Sequence, residues 1–292
     1  MTLASTPVGA AVLPGQGSMP LAATPIPPDG FTAPGVEEFF YDPFTWGPLG
    51  ALAETPFAIN RIVLMMLLMT GLLCLVFGMA FRKPQVVPRG LQNVMETGTE
   101  FVRVQIAEEV IGKEAAKRFA PYLTALFFFI FALNVTSILP LMNLPVNGVV
   151  ALPIIYAFIT WLIYNYQGIK AQGAGHYFKN SLFPPGIPKP IYLLVTPIEF
   201  VSTFILRPLT LTIRLLANML AGHLILALFF TATTYLLLGY QDGRAYTALF
   251  GLGALGAGIA FTFFEALVAV LQAYIFTLRT AVYLAGSLEP EH

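Results

Sequence analysis

Arg214, His223 and Glu265 stand inside the most apolar stretches of this chain. Arg214 lies in L-T-L-T-I-R-L-L-A-N-M-L-A-G-H, with Asn218 four residues on and His223 nine residues on. An arginine at a bilayer centre costs about 2.5–3.5 kcal/mol on insertion scales. A guanidinium stays protonated at any physiological pH, so it cannot shed the charge. A fixed cation there needs a partner or a job: the default reading is a functional site with an anionic partner, against a purely structural role, and no acid in the same stretch is near enough to neutralise it. Histidine and a partly buried carboxylate are different, because both exchange protons near neutral pH.

Spacing sorts these residues onto faces. Arg207, Arg214 and Asn218 share one side of a helix, since offsets of seven and four depart from whole turns by about 20–40°. His223 falls near the opposite side and should touch something else. Glu265, Gln272 and Arg279 recur every seven residues and form one stripe. An acid, an amide and a cation along one helix, opposite a helix bearing histidine and arginine, outline a proton route. Glu199 stands further back, near the inner end. Blander roles compete. Asn134 and Asn218 serve equally well as interhelical hydrogen-bonding groups. Glu199 and Arg279 suit helix-end charges that reach the interface. His223 and Glu265 suit an inert buried pair.

Other chemistry has no support. The chain has no H-E-x-x-H, no G-x-S-x-G, no phosphate-binding glycine loop and no Cys/His metal spacing, so no cofactor or metal is expected. His176 and His292 fall in a loop and at the tail. The single cysteine, Cys74, excludes an internal disulfide and reads as a small packing residue.

The elements that position the polar residues must be helices in a membrane. The chain is 57% hydrophobic and 10% charged, against roughly 25% charged in soluble domains. Net charge is zero, so no bulk field draws nucleic acid. Apolar runs predict spans at about Ile62–Phe81, Pro121–Leu141 and Val149–Tyr166. Two longer runs, Ile191–Leu238 and Ala245–Ala285, would measure roughly 60–70 Å as helix. The hydrocarbon core is only about 30 Å thick, so these helices are steeply inclined, broken or projecting. Pro197 and Pro208 are candidate break points. Residues 84–119 mix charges with apolar positions at helical spacing, as in an amphipathic surface helix. The expected fold is all-α and polytopic, with five membrane-inserted segments and a surface helix.

Residues 1–35 are Pro-rich and read as a flexible tail outside the membrane domain of 36–292. Residues 1–60 hold no Lys or Arg, so no charged signal-peptide leader is expected. Residues 36–46, rich in acids and aromatics, fit an interfacial segment or a loop packed on the protein. Residues 82–118 and 169–190 carry ten of the fifteen Lys and Arg. The positive-inside bias therefore predicts the N-terminus outside and the C-terminus in the cytoplasm.

The run R-L-L-A-N-M-L-A-G-H (Arg214 to His223), followed by L-Q-A-Y-I-F (Leu271 to Phe276), resembles subunit a of the membrane sector of F-type ATP synthases. The resemblance covers nearly all of residues 36–288, including L-N-V-T-S-I-L-P on the second span and Arg207–Pro208. It implies a non-catalytic, proton-conducting stator subunit without a cofactor, in a bacterial plasma (inner) membrane. Its partners would be a ring of c subunits, b-type peripheral stalk subunits, the other ATP synthase subunits, lipid and protons. The two long helices would lie steeply along the ring. Arg214 matches the essential arginine, which meets a ring carboxylate and separates two offset half-channels. Asn218 and Gln272 match positions beside it, and His223 and Glu265 match the outer half-channel pair. In some members the acid and the histidine of that pair are exchanged. Some members also carry an aspartate where Ser137 stands, three residues after Asn134. Glu199 sits one residue further from the arginine than the family's acid, at the inner half-channel. The competing readings are a self-contained ion channel or secondary transporter, and a non-transporting scaffold.

Overall fold

The computed structural model describes residues 31, 33–35, 39, 59–139, 144–183, 191–239 and 245–288. The tail to residue 35 and the segment 36–46 otherwise lie outside the described residues. Ala33–His292 form one compact unit.

Helix α1 (Arg61–Ala80) starts where the Asn60 side chain accepts the Val63 N–H at 2.9 Å. Such a cap satisfies one of the amides left open at a helix start. Most of its surface is apolar and uncovered, with Leu64, Leu67, Leu68, Leu72 and Leu75 exposed. Cys74 lies on this uncovered surface rather than in the packing.

The amphipathic stretch is jointed. Helix α2 (Leu91–Phe101) widens into a π-helical turn, Val102–Glu108, and then closes in the short α3 (Glu109–Ile111). Met95, Val102 and Ile106 are buried, while Leu91 and Val94 are exposed. The ion pairs among the described residues (Arg103 with Glu100 and Glu108, Lys117 with Glu114) cluster here. Gly112, at φ 83° and ψ 156°, then turns the chain into α4 (Lys113–Val135). The second span therefore begins earlier than its apolar residues suggest. Its first turns are charged, and Pro121 is accommodated inside the helix.

Helix α5 (Ala151–Gln172) ends at Gly173, whose φ 82° and ψ 146° reproduce the Gly112 joint. Helix α6 (Ala174–Leu182) follows inside what the sequence reads as a loop. The next membrane segment is continuous. It comprises α7 (Tyr192–Phe200), a π-helical segment Val201–Leu206, α8 (Arg207–Thr234) and a last π-helical stretch, Tyr235–Gly239. Neither Pro197 nor Pro208 breaks it. Helix α9 (Ala245–Leu288) runs 44 residues.

Among the described residues, four helical stretches are long and apolar enough to cross a membrane: Arg61–Ala80, Lys113–Val135, Tyr192–Leu237 and Thr247–Leu288. Helix α5, the third expected span, is long enough but less apolar. Its polar residues Thr160, Asn165 and Gln167 are buried against the protein, whereas Ile154, Ile155, Phe158, Ile159 and Leu162 face outward. Averaging along the sequence hides this division between faces. The core lies among α4, α5, α8, α9 and the 102–108 turn. Leu123, Ile130, Leu133, Tyr164, Leu215 and Leu284 are almost wholly buried there.

Candidate functional site

The polar residues of α8 and α9 meet because the two helices run antiparallel and touch at small residues. A Cβ added at Gly222 would overlap the Glu265 carboxyl, so that carboxyl rests on the α8 backbone beside His223. His223 and Glu265 are 5% and 4% exposed. Phe39 approaches the His223 ring edge-on, with centroids 5.4 Å apart. The described part of the aromatic segment thus packs on the protein here, and the same ring lies against Gly148.

Asn134 is drawn to the same place. Its Nδ2 donates to the Ala269 carbonyl at 3.4 Å, one turn along α9 from Glu265. Its Oδ1 accepts from Asn147 at 2.8 Å, and Asn147 accepts from the Tyr156 hydroxyl at 3.1 Å. All three residues are buried. A buried amide left unpaired costs about 1–3 kcal/mol, so this chain ties α4, the 144–148 loop, α5 and α9 into one arrangement. Asn147 and Tyr156 were not singled out from the sequence, because a loop asparagine and an aromatic in a span carry no distinguishing pattern. Ser137 Oγ donates to the Asn134 carbonyl at 2.9 Å, closing the helix end locally.

The other end of the pair is fixed differently. The Arg207 guanidinium carbon lies 5.4 Å from the Tyr283 ring centroid. A cation over an aromatic face is worth about 0.5–2 kcal/mol. The contacts at 222–265 and 207–283 set the register of α8 against α9. Gln272, between them, falls level with the turn from Arg214 to Asn218. Arg214, Asn218 and Gln272 are half-buried, and Arg279 is exposed. Among the described residues no carboxylate pairs with Arg214. Beside it Ile213, Ala217 and Ala221 are exposed, and Leu267, Val270 and Leu271 continue the uncovered apolar surface on α9. Glu199 is half-buried on α7, two turns before Arg207. Among the described residues no group of His, Cys, Asp and Glu could hold a metal ion.

The profile of the family described as ATP synthase A chain matches residues 63–285. The chain belongs to the ATP synthase A chain family. It is 45% identical to ATP synthase subunit a of Rhodococcus erythropolis over 93% of this chain and 95% of that one. Against the Frankia alni subunit a it is 39% identical, over 89% of this chain and 87% of that one. Against the Streptomyces lividans subunit a it is 36% identical, over 90% of each. The family match spans every polar position described above, from Asn134 to Arg279.

Proposed function

We propose that this chain is the proton-translocating stator subunit of a bacterial ATP synthase, and that Arg214 meets a carboxylate carried by a ring of c subunits. The observation that carries the reading is Arg214 itself. It is a permanent cation in an apolar helix, unpaired among the described residues, at the edge of a surface that this chain leaves uncovered. Ala217 and Ala221 continue that edge, and small residues let another helix approach closely. A guanidinium placed there favours the ionised form of an approaching acid. It also repels a proton travelling straight through.

The rest of the site follows in two halves. His223, Glu265 and the Asn134–Asn147–Tyr156 chain cluster at the end marked by the 144–148 loop. We assign them to the half-channel that loads the ring from outside. Glu199 and Arg207, toward the α6 end, belong to the half-channel that releases protons inside. Asn218 and Gln272 flank Arg214 and orient it or its water. The N-terminus then lies outside and the C-terminus in the cytoplasm, the b-type stalk subunits hold the chain against the ring, and no ATP chemistry occurs on it. A self-contained transporter would be expected to pair its buried cation within its own chain.

The test is ATP-driven proton uptake by inverted membrane vesicles carrying Arg214→Ala, with assembly checked by co-purification of the ring. Loss of pumping from an intact complex is expected. Normal pumping would make the arginine structural and end this reading.

A further inference from the structure

The segment Val201–Leu206 interrupts the α-helical pattern between α7 and α8, and its hydrogen bonds explain why. The Arg207 N–H donates to the Ser202 carbonyl, five residues back, instead of to Thr203. The next residue is Pro208, which has no N–H to give. The Thr203 carbonyl therefore loses its α-helical donor to Ser202, and its five-residue donor does not exist. Tyr164 of α5 fills the vacancy: its hydroxyl donates to the Thr203 carbonyl at 3.1 Å. Tyr164 is 1% exposed and Thr203 is 3% exposed, so no water stands ready to replace that bond. The Tyr164 ring packs on Tyr283, with centroids 5.7 Å apart, and Tyr283 lies under Arg207. Helices α5, α8 and α9 thus close around one widened turn.

A π turn takes up one residue more than an α turn. In an unbroken α-helix, the eight positions from Glu199 to Arg207 would leave the two about 80° apart around the axis. With one residue absorbed, the separation falls to about 20°. Burial agrees with the second figure. Glu199, Thr203 and Arg207 follow the less exposed side, while Ile198, Val201, Ile205 and Leu206 follow the open side.

We propose that the turn Val201–Leu206 is a register device: it absorbs one residue and so brings Glu199 onto the face of Arg207 and Arg214, with Tyr164 as the positioning residue that holds it open. The proposal rests on the functional reading above only in assigning that face to proton release; the register itself is a geometric claim.

The experiment removes Ser202 in the full complex, with Cys74 replaced by serine. Spin labels at positions 199 and 207 report the register by dipolar broadening, whatever the proton does. Equal broadening in the parent and in the deletion is expected, because deletion converts the wide turn to an ordinary one and leaves both flanks aligned. A residue inserted after Ser202 should weaken the broadening. Stronger broadening in the deletion than in the parent would show that the parent is out of register and overturn the proposal. Proton pumping, measured without labels, gives the second readout. Tyr164→Phe should lower it several-fold in the parent and change nothing in the deletion, which has no orphan carbonyl to hold. Equal losses in both backgrounds would make Tyr164 a packing residue only. Should Arg214→Ala pump normally, the assignment to proton release falls while the label distances still decide the register.

Discussion

Gly222 shows how far one hydrogen atom in place of a methyl group matters. The Glu265 carboxyl occupies the space that a Cβ would need, beside His223. A carboxyl group is the mobile end of its side chain and can move aside. Gly222→Ala should therefore leave the fold intact, with stability changed by less than about 1 kcal/mol. It should also cut ATP-driven proton uptake several-fold by displacing the acid. Assembly equal to the parent, with reduced uptake, is the expected pair of results. If His223 and Glu265 face each other, the exchange His223→Glu with Glu265→His should pump better than either single change, because facing groups keep their partners when swapped. A double variant no better than the singles would mean that the groups act apart. That His223 and Glu265 can each carry a proton was legible from residue type alone. The glycine between them was not, since glycine in A-G-H reads equally as a flexible filler.

At the scale of elements, the sequence located the apolar segments to within a few residues, because hydrophobic runs of membrane length have few alternative readings. It misjudged what happens at their ends. Residues 113–119 fall within the expected surface helix, yet they are the first turns of α4. The boundary is set by Gly112, whose backbone angles are almost closed to other residues. Gly173 makes the same joint between α5 and α6. Gly112→Ala should destabilise the subunit by about 1–3 kcal/mol, visible as lower thermal stability of the purified complex, whereas Gly175→Ala, with open space at its Cβ and no positive φ, should be close to neutral. The Tyr156–Asn147–Asn134 chain belongs to this scale as well. Asn147→Leu would strand the Asn134 amide oxygen and the Tyr156 hydroxyl, costing about 1–3 kcal/mol. The loss should appear as earlier proteolysis at the 144–148 loop. The π turns escaped the sequence reading because one absorbed residue leaves composition unchanged; only Pro208, five positions after Thr203, hinted at it.

At the scale of the whole described assembly of helices, α8 and α9 each leave an apolar face uncovered, as α1 and α5 do. Helix α8 exposes Leu209, Ile213, Ala217, Ala221 and Ile225, and α9 exposes Ile259, Phe263, Leu267, Val270 and Leu271. Lipid could cover such a face, but acyl chains give Arg214 no countercharge. Ala217→Leu should keep the chain in the membrane and reduce co-purification of the ring at least ~10-fold, because close helix approach depends on small side chains. Unchanged ring recovery would place the docking face elsewhere. This openness could not be read from apolar content, which is the same for a lipid-facing helix and a partner-facing one.

The continuous stretch Tyr192–Leu237 has 46 residues, about 70 Å as a helix, and is apolar at both ends. To keep that length within a hydrocarbon layer of about 30 Å, it must lie nearer the membrane plane than the normal. Such a strut is loaded differently from an upright one. Long helices bend readily, but end to end they are braced by every backbone hydrogen bond along their length. A partner sliding past in the membrane plane would push this helix largely along its own axis, its stiffest direction. On the proposed reading, the subunit would then bear a sideways thrust with little recoil, and Arg214 would keep its station while the ring moved.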